Sequence, residues 1–215
     1  MSSLPETAIE LKEIARYLKM KEDSLYLGKR ATESRLKSLD LSSTRIVAFA
    51  THGLLPNDTK SFLDPAEAAL VLTPPKVATN QDDGLLTASE IAQLKLDADW
   101  VILSACNTAA VEKKADGIGE SESLAGIANA FFYAGARSLL VSHWNVESSA
   151  TSQLMIGLFK QLANNPKIRR AEALQKSMLN LISDKENPHY AHPLFWAPFV
   201  VVGEGGAIVT NQAGE

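Results

Sequence analysis

Residues 100–108 read WVILSACNT. Trp100, Val101, Ile102 and Leu103 form an unbroken apolar run, the pattern of a strand covered on both faces of a parallel sheet, and the run stops abruptly at small and polar residues. An earlier run, IVAFA at 46–50, stops the same way at Thr51, His52 and Gly53. In open α/β sheets, ligands and chemistry gather beyond the carboxyl ends of the strands. Two neighbouring parallel strands of this kind would bring the imidazole of His52 and the thiol of Cys106 to one rim, as proton carrier and nucleophile.

Around these two runs the chain alternates helical and strand patterns. Residues 6–19 set Leu11, Ile14, Ala15 and Leu18 at helical spacing behind Pro5, with Thr7 and Glu10 spaced as a capping box. Residues 24–27 read as a short strand closed by Gly28, and 31–39 as a second helix. The Pro, Asn and Asp content of 54–65 marks a loop, and 69–72 a strand that pairs with Leu85 and Leu86 across the turn signal Asp82-Asp83-Gly84. Thr87 and Glu90 repeat the capping-box spacing and open a short helix to Leu94.

Past Cys106, residues 109–121 (AAVEKKADGIGES) are a charged, Gly-containing loop next to the thiol, read as mobile or functional. Leu124, Ala128, Phe131 and Gly135 mark the next helix, and SLLVS at 138–142 a buried strand ending in His143 and Trp144. Helices follow at 151–162 and around Ala171, Leu174, Met178 and Leu181. Residues 189–193 read as a loop and 199–202 as a last strand. This alternation predicts an α/β fold, a three-layer α/β/α sandwich on a mostly parallel sheet.

Bulk properties narrow the partners. The chain has 215 residues, 46% hydrophobic and 21% charged, which suits a single domain over 1–205 with a flexible polar tail at 206–215. A net charge of -4 carries no basic footprint for nucleic acid and no polybasic stretch for anionic lipid, so neither nucleic acid nor membrane is expected as a partner. One cysteine cannot form an internal disulfide, which favours a reducing, cytoplasmic setting.

A lone cysteine after an apolar strand also has a plain reading, as a small buried hydrophobe, and His52 one as a structural histidine. As a pair they have chemistry: neutral histidine keeps a thiolate available and gives a proton to a leaving amine. The backbone N–H groups of Gly53 and Cys106 would hold the oxyanion. His143, His189 and His192 are too scattered for a metal site, and no H-E-x-x-H occurs, so neither metal nor cofactor is expected. No G-x-S-x-G elbow surrounds any serine, and Gly117-Ile118-Gly119 lacks the strand and third glycine of a phosphate loop. Trp144 and Trp196 read as core or pocket-wall aromatics, and Glu147 as a helix-start charge.

At Ala50-Thr51-His52-Gly53 and Leu103-Ser104-Ala105-Cys106-Asn107-Thr108 the sequence resembles the CHAT family, caspase-like cysteine peptidases related to separases and often joined to tetratricopeptide repeats. Further blocks match in order: Asp83 to Glu90, Leu124-Ala125-Gly126 with Phe131, Ala134 to Ser138, His143 to Val146, and His192-Pro193 with Trp196 to Phe199. The resemblance implies a caspase-like sheet, His52 as catalytic histidine and Cys106 as a nucleophile forming a thioacyl-enzyme. It sets Asn107, Trp144 and Glu147 in the substrate pocket, with Asn107 where many members carry glutamate and Ser148 where another acid is often found.

It further implies a bacterial, cytoplasmic cysteine endopeptidase acting on a protein or peptide substrate, with a tetratricopeptide-repeat or other regulatory segment in the full-length chain. Against the usual family layout the chain starts late, so it reads as the C-terminal part of a longer protein that lacks an inner strand and is marginal alone. A catalytically silent interaction module and a thiol-dependent amidase or acyltransferase are the alternatives. Labelling by a thiol-reactive peptidyl probe that needs both residues separates them.

Overall fold

The structure, a computed structural model, describes residues 4–54, 67–104, 121–144 and 146–206. Its centre is β5 (Trp100–Leu103), which pairs in parallel with β1 (Ile46–Phe49) on one side and with β6 (Ser138–Ser142) on the other. β7 (Phe199–Gly203) then runs antiparallel to β6, giving the order β1-β5-β6-β7. All four β5 side chains are buried, as the continuous apolar run requires. Burial of each is worth about 1.5–3 kcal/mol, so this strand anchors the domain.

Alternation along β5 divides the interior into two cores. Trp100 and Ile102, with Leu140 of β6, face Ile14 of α1 (Pro5–Tyr17), Leu154 and Leu158 of α5 (Ser148–Asn164) and Leu174 of α6 (Arg170–Ile182). Val101 and Leu103, with Leu139 and Val141, face Ile91 of α3 (Ala88–Ile91) and Ile127 and Phe131 of α4 (Ser121–Tyr133). Trp100 meets Phe159 at 5.9 Å between ring centroids on the first side, and Phe49 meets Phe131 at 5.5 Å on the second. The expected three-layer α/β/α architecture with a mostly parallel sheet is therefore observed.

Gly135 ends α4 with φ of +109°, and a Cβ there would stand 2.1 Å from the Leu96 carbonyl oxygen, so only glycine fits this helix exit. Beyond it, Asp99 anchors the lower edge of the sheet. Its carboxylate accepts from Arg45 and, at 2.7 Å, from Arg137, and its carbonyl accepts from the Ser138 hydroxyl at 2.8 Å.

Several local expectations need correction. No strand forms at 24–27: Glu22–Ser24 is a single 3-10 turn, and Leu25 and Tyr26 line an apolar pocket with Leu11, Leu18 and Ile46. An apolar triplet makes a strand only where a partner strand is within reach, and none is here among the described residues. The capping box proposed for Thr7 and Glu10 is also absent. α1 starts at Pro5, the Thr7 hydroxyl donates to the Leu4 carbonyl at 2.7 Å, and Glu10 lies one turn inside, buried.

The second helix is shorter than expected, α2 (Glu33–Lys37), while α5 is longer than 151–162. The buried Glu33 carboxylate accepts from the amides of Asp83 and Gly84 at 3.0 and 3.1 Å and pairs with Lys37. It thereby ties α2 to the connection ahead of Leu85. Residues 189–193 are not irregular loop but two 3-10 turns, Pro188–Ala191 and Pro193–Phe195. Among the described residues the main-sheet strands are hydrogen-bonded neighbours in the order β1-β5-β6-β7.

A second sheet, unforeseen as such, joins β2 (Gly53–Leu54), β3 (Ala69–Val71) and β4 (Leu85–Thr87) in antiparallel order. The expected pairing of 69–72 with Leu85 and Leu86 is present, and Thr87 with Glu90 forms the expected capping box at α3. The connection between β3 and β4 is not a tight hairpin; within it Thr79 bridges Asp82, and Gly84 (φ +85°) passes Pro74 too closely for any Cβ.

Candidate active site

β1, β5 and β6 run in parallel and therefore end on one edge of the sheet. Phe49 pairs with Leu103, and the amide of Ser104 donates to the Phe49 carbonyl at 2.9 Å. The two expected reactive residues follow at equal steps: His52 is the third residue after Phe49, and Cys106 the third after Leu103. Cys106, Asn107 and the loop over 109–121 lie outside the described residues.

His52 is half-buried and held by its backbone rather than by β1 itself. Its carbonyl accepts from the Val71 amide at 2.8 Å, and the Thr51 hydroxyl donates to the Val71 carbonyl. Antiparallel ladders alternate bonded and non-bonded pairs. The pair after His52 and Val71 is Gly53 opposite Leu70, so the Gly53 amide is directed away from β3. That amide is a backbone donor set immediately after the imidazole.

The exit of β6 lies on the same edge. The His143 amide donates to the Pro198 carbonyl at 3.0 Å, and the indole N–H of Trp144 donates to the Leu194 carbonyl at 3.0 Å. Trp144 nevertheless remains 37% exposed, with Leu194 exposed beside it. It is a rim aromatic and not a core one. Trp196 is tied through its indole N–H to the Ala191 carbonyl at 3.2 Å.

Glu147 occupies the N-cap of α5, where its carbonyl accepts from the Thr151 amide at 3.0 Å. Its exposed carboxylate accepts from Ser149, whose hydroxyl lies 3.0 Å from that of Tyr190. The helix-start role fits this position, since the N-terminal dipole favours an anion. The His189 ring lies 4.4 Å from that of Tyr190 between centroids, tilted by 57°, and His192 accepts from the Leu194 amide at 3.2 Å. Both histidines thus have structural work. Among the described residues no three His, Cys, Asp or Glu side chains are grouped to hold a metal ion. Nor is any described helix long and apolar enough to cross a membrane.

One residue escaped the sequence reading. Glu10 of α1 is 2% exposed, and burial raises its carboxyl pKa from 4.5 to about 7, opposed in part by the neighbouring Ser104 hydroxyl. No hydrogen bond of ordinary geometry reaches the Glu10 Oε1 or the Ser104 Oγ among the described residues. The signal was available: Glu10 stands one turn before Ile14 and two before Leu18, on the apolar stripe of α1.

A family model described as the CHAT domain matches residues 1–204. The chain is also similar to Tetratricopeptide repeat protein 28 of Mus musculus, 27% identical over 211 residues, and to its Homo sapiens counterpart, 26% identical. Each alignment covers 82% of this chain and 8% of the relative, so the chain spans only a small part of the curated relatives it matches.

Proposed function

The chain belongs to the CHAT domain family, and from that premise we propose that it is a cysteine endopeptidase in which Cys106 is the nucleophile and His52 the general base and acid. The observation that carries this reading is the β1–β5 register, with the Ser104 amide bonded to the Phe49 carbonyl and the two reactive residues equally far beyond it. A parallel pair holds its exits side by side, and a nucleophile needs its base at that separation.

In the proposed reaction His52 takes the thiol proton as the sulfur of Cys106 bonds to the scissile carbonyl carbon. The amides of Gly53 and Cys106 hold the resulting oxyanion, the kind of fixed donor pair worth about 3 kcal/mol per donor in acyl transfer. As the C–N bond breaks, His52 gives its proton to the leaving amine, and a thioester remains on Cys106. Water, deprotonated by His52, then attacks that thioester; the C–S bond breaks and the proton returns to sulfur.

Trp144, Glu147 and Asn107 are the proposed walls of the substrate pocket, with a protein or peptide as substrate. The exposed indole of Trp144 supports this assignment, since it is held rigid by its N–H bond while its face stays open. A tetratricopeptide-repeat segment is a proposed regulatory companion, in keeping with the names of the relatives. A nucleophilic thiol needs reducing conditions, so residues 1–205 are proposed to act in the cytoplasm.

The test is covalent labelling with a thiol-reactive peptidyl probe, followed by peptide cleavage, for wild type, His52→Ala and Cys106→Ala. Labelling and cleavage that require both residues are expected. Cleavage persisting in Cys106→Ala would refute the proposal, and reaction with small acyl donors alone would favour an amidase or acyltransferase.

A further inference from the structure

Among the described residues, the buried carboxyl of Glu10 has no ion-pair partner. Glu10 is 2% exposed on α1, and beside it the Ser104 hydroxyl is 4% exposed; each side chain keeps an oxygen with no hydrogen-bond partner among the described residues. Two orphaned polar groups placed side by side in a core are costly singly, and each offers the other a partner. Ser104 is also the residue whose amide extends the β1–β5 ladder, and it stands two positions before Cys106.

We propose that Glu10 is a positioning residue of the active site: its carboxyl and the Ser104 hydroxyl hold one another across the α1–β5 contact and so fix the strand exit that delivers Cys106. The proposal rests on the reading of Cys106 as the nucleophile. A neutral carboxyl suits this role, because it offers both a donor and an acceptor to a hydroxyl and carries no charge to desolvate. When the carboxyl ionises, the acceptor-only anion is left in an apolar core, and the hold on Ser104 changes with it.

The surroundings hold little charge that would favour the ionised form. β1 and β5 carry no charged side chain, and α5 carries only Lys160. On α1 itself Glu6, Lys12, Glu13 and Arg16 are the other charged groups, and Glu13 and Arg16 pair with each other at 2.6 Å in the open. Glu147, at the α5 N-cap, is occupied by Ser149. Burial is the dominant influence on Glu10, with the Ser104 hydroxyl opposing it, and its pKa stands at about 7.

The experiment uses the full chain and the fact that Cys106 is its only thiol. Alkylation by iodoacetamide is followed by mass spectrometry from acid to alkaline pH for wild type, Glu10→Gln, Glu10→Ala and Ser104→Ala. Wild type is expected to show an inflection near pH 7 apart from the thiol's own ionisation. Glu10→Gln should keep the rate but lose that inflection, and Glu10→Ala should change the rate by about tenfold, the scale of a lost outer-shell support. Should Glu10→Ala not fold by circular dichroism, Glu10→Gln and Ser104→Ala decide the matter.

An inflection unchanged in Glu10→Gln, or a Ser104→Ala protein indistinguishable from wild type, would overturn the assignment. Alkylation needs no peptide substrate. A protein that shows the expected pattern but cuts no peptide would therefore retain the Glu10 assignment and lose the peptidase one.

Discussion

The amide of Ser104 donates to the carbonyl of Phe49 at 2.9 Å, which carries the β1–β5 ladder one residue past Leu103, opposite the last residue of β1. Each chain leaves the sheet from a bonded position. Cys106→Ala should abolish cleavage while the thermal transition shifts by only a few degrees, since a lost sulfur removes little buried volume, and His52→Ala should cut kcat by about 100-fold or more. Steady-state kinetics and thermal unfolding on the same preparations check both.

Trp144→Ala should raise KM for a peptide substrate several-fold with a smaller change in kcat, because a pocket wall binds ground and transition states alike. The loss of the indole bond to Leu194 should cost roughly 1 kcal/mol of stability. A kcat loss as deep as that of His52→Ala would move Trp144 from the wall into the chemistry.

Burial makes Glu10 a pH-dependent term in stability. Its folded pKa of about 7 lies above the ordinary 4.5, so the folded state binds this proton more tightly than the unfolded chain. The contribution is full below pH 4.5, declines as pH rises from 4.5 to about 7, and is lost above. At 1.36 kcal/mol per unit the span is about 3 kcal/mol. Glu10→Gln should therefore melt several degrees above wild type at pH 8 and close to it at pH 4.5; denaturation at the two pH values measures the difference.

Asp99 offers a contrast at the opposite edge of the sheet. Asp99→Ala leaves Arg45 and Arg137 without their shared carboxylate, and because both guanidinium groups are about 40% exposed the expected cost is roughly 2 kcal/mol, less than for a fully buried pair. Cys106 alkylation should be unaffected under conditions where the variant is folded. A change in alkylation rate would show that the lower edge reaches the upper one.

What could be read in advance followed from the kind of signal each residue left. Trp100 to Leu103 and Ser138 to Ser142 are continuous runs whose burial is decided by composition alone, and both are strands. The capping box at Thr87 and Glu90 is a local motif and forms where it was expected. The same motif at Thr7 and Glu10 failed because Pro5 starts the helix earlier, which leaves Glu10 inside α1 on the stripe it shares with Ile14. Leu25 and Tyr26 cover apolar side chains of α1 and β1 without pairing, a tertiary outcome that a four-residue window does not contain.

The candidate site was partly legible for the same reason. The edge that bears His52 was implied by the β1 run, but the two-residue β2 that fixes its backbone exists only through pairing with β3, so no local pattern announces it. Trp144 left an ambiguous signal, because an indole serves equally in a core and on a rim. Its partial exposure, with its N–H satisfied by Leu194, comes from the 3-10 turn that packs beside it.

β7 reverses the direction of the sheet: it begins opposite Ser142, on the edge that bears His52, and finishes opposite Ser138 on the far one. The point of departure is pinned, with the Glu204 amide donating to the Arg137 carbonyl at 3.1 Å and its own carbonyl accepting from Arg170 at 2.5 Å. Glu204 therefore stands at the edge of the sheet away from His52. A surface linkage made at Glu204 is thus expected to leave the edge that bears His52 open to an added probe.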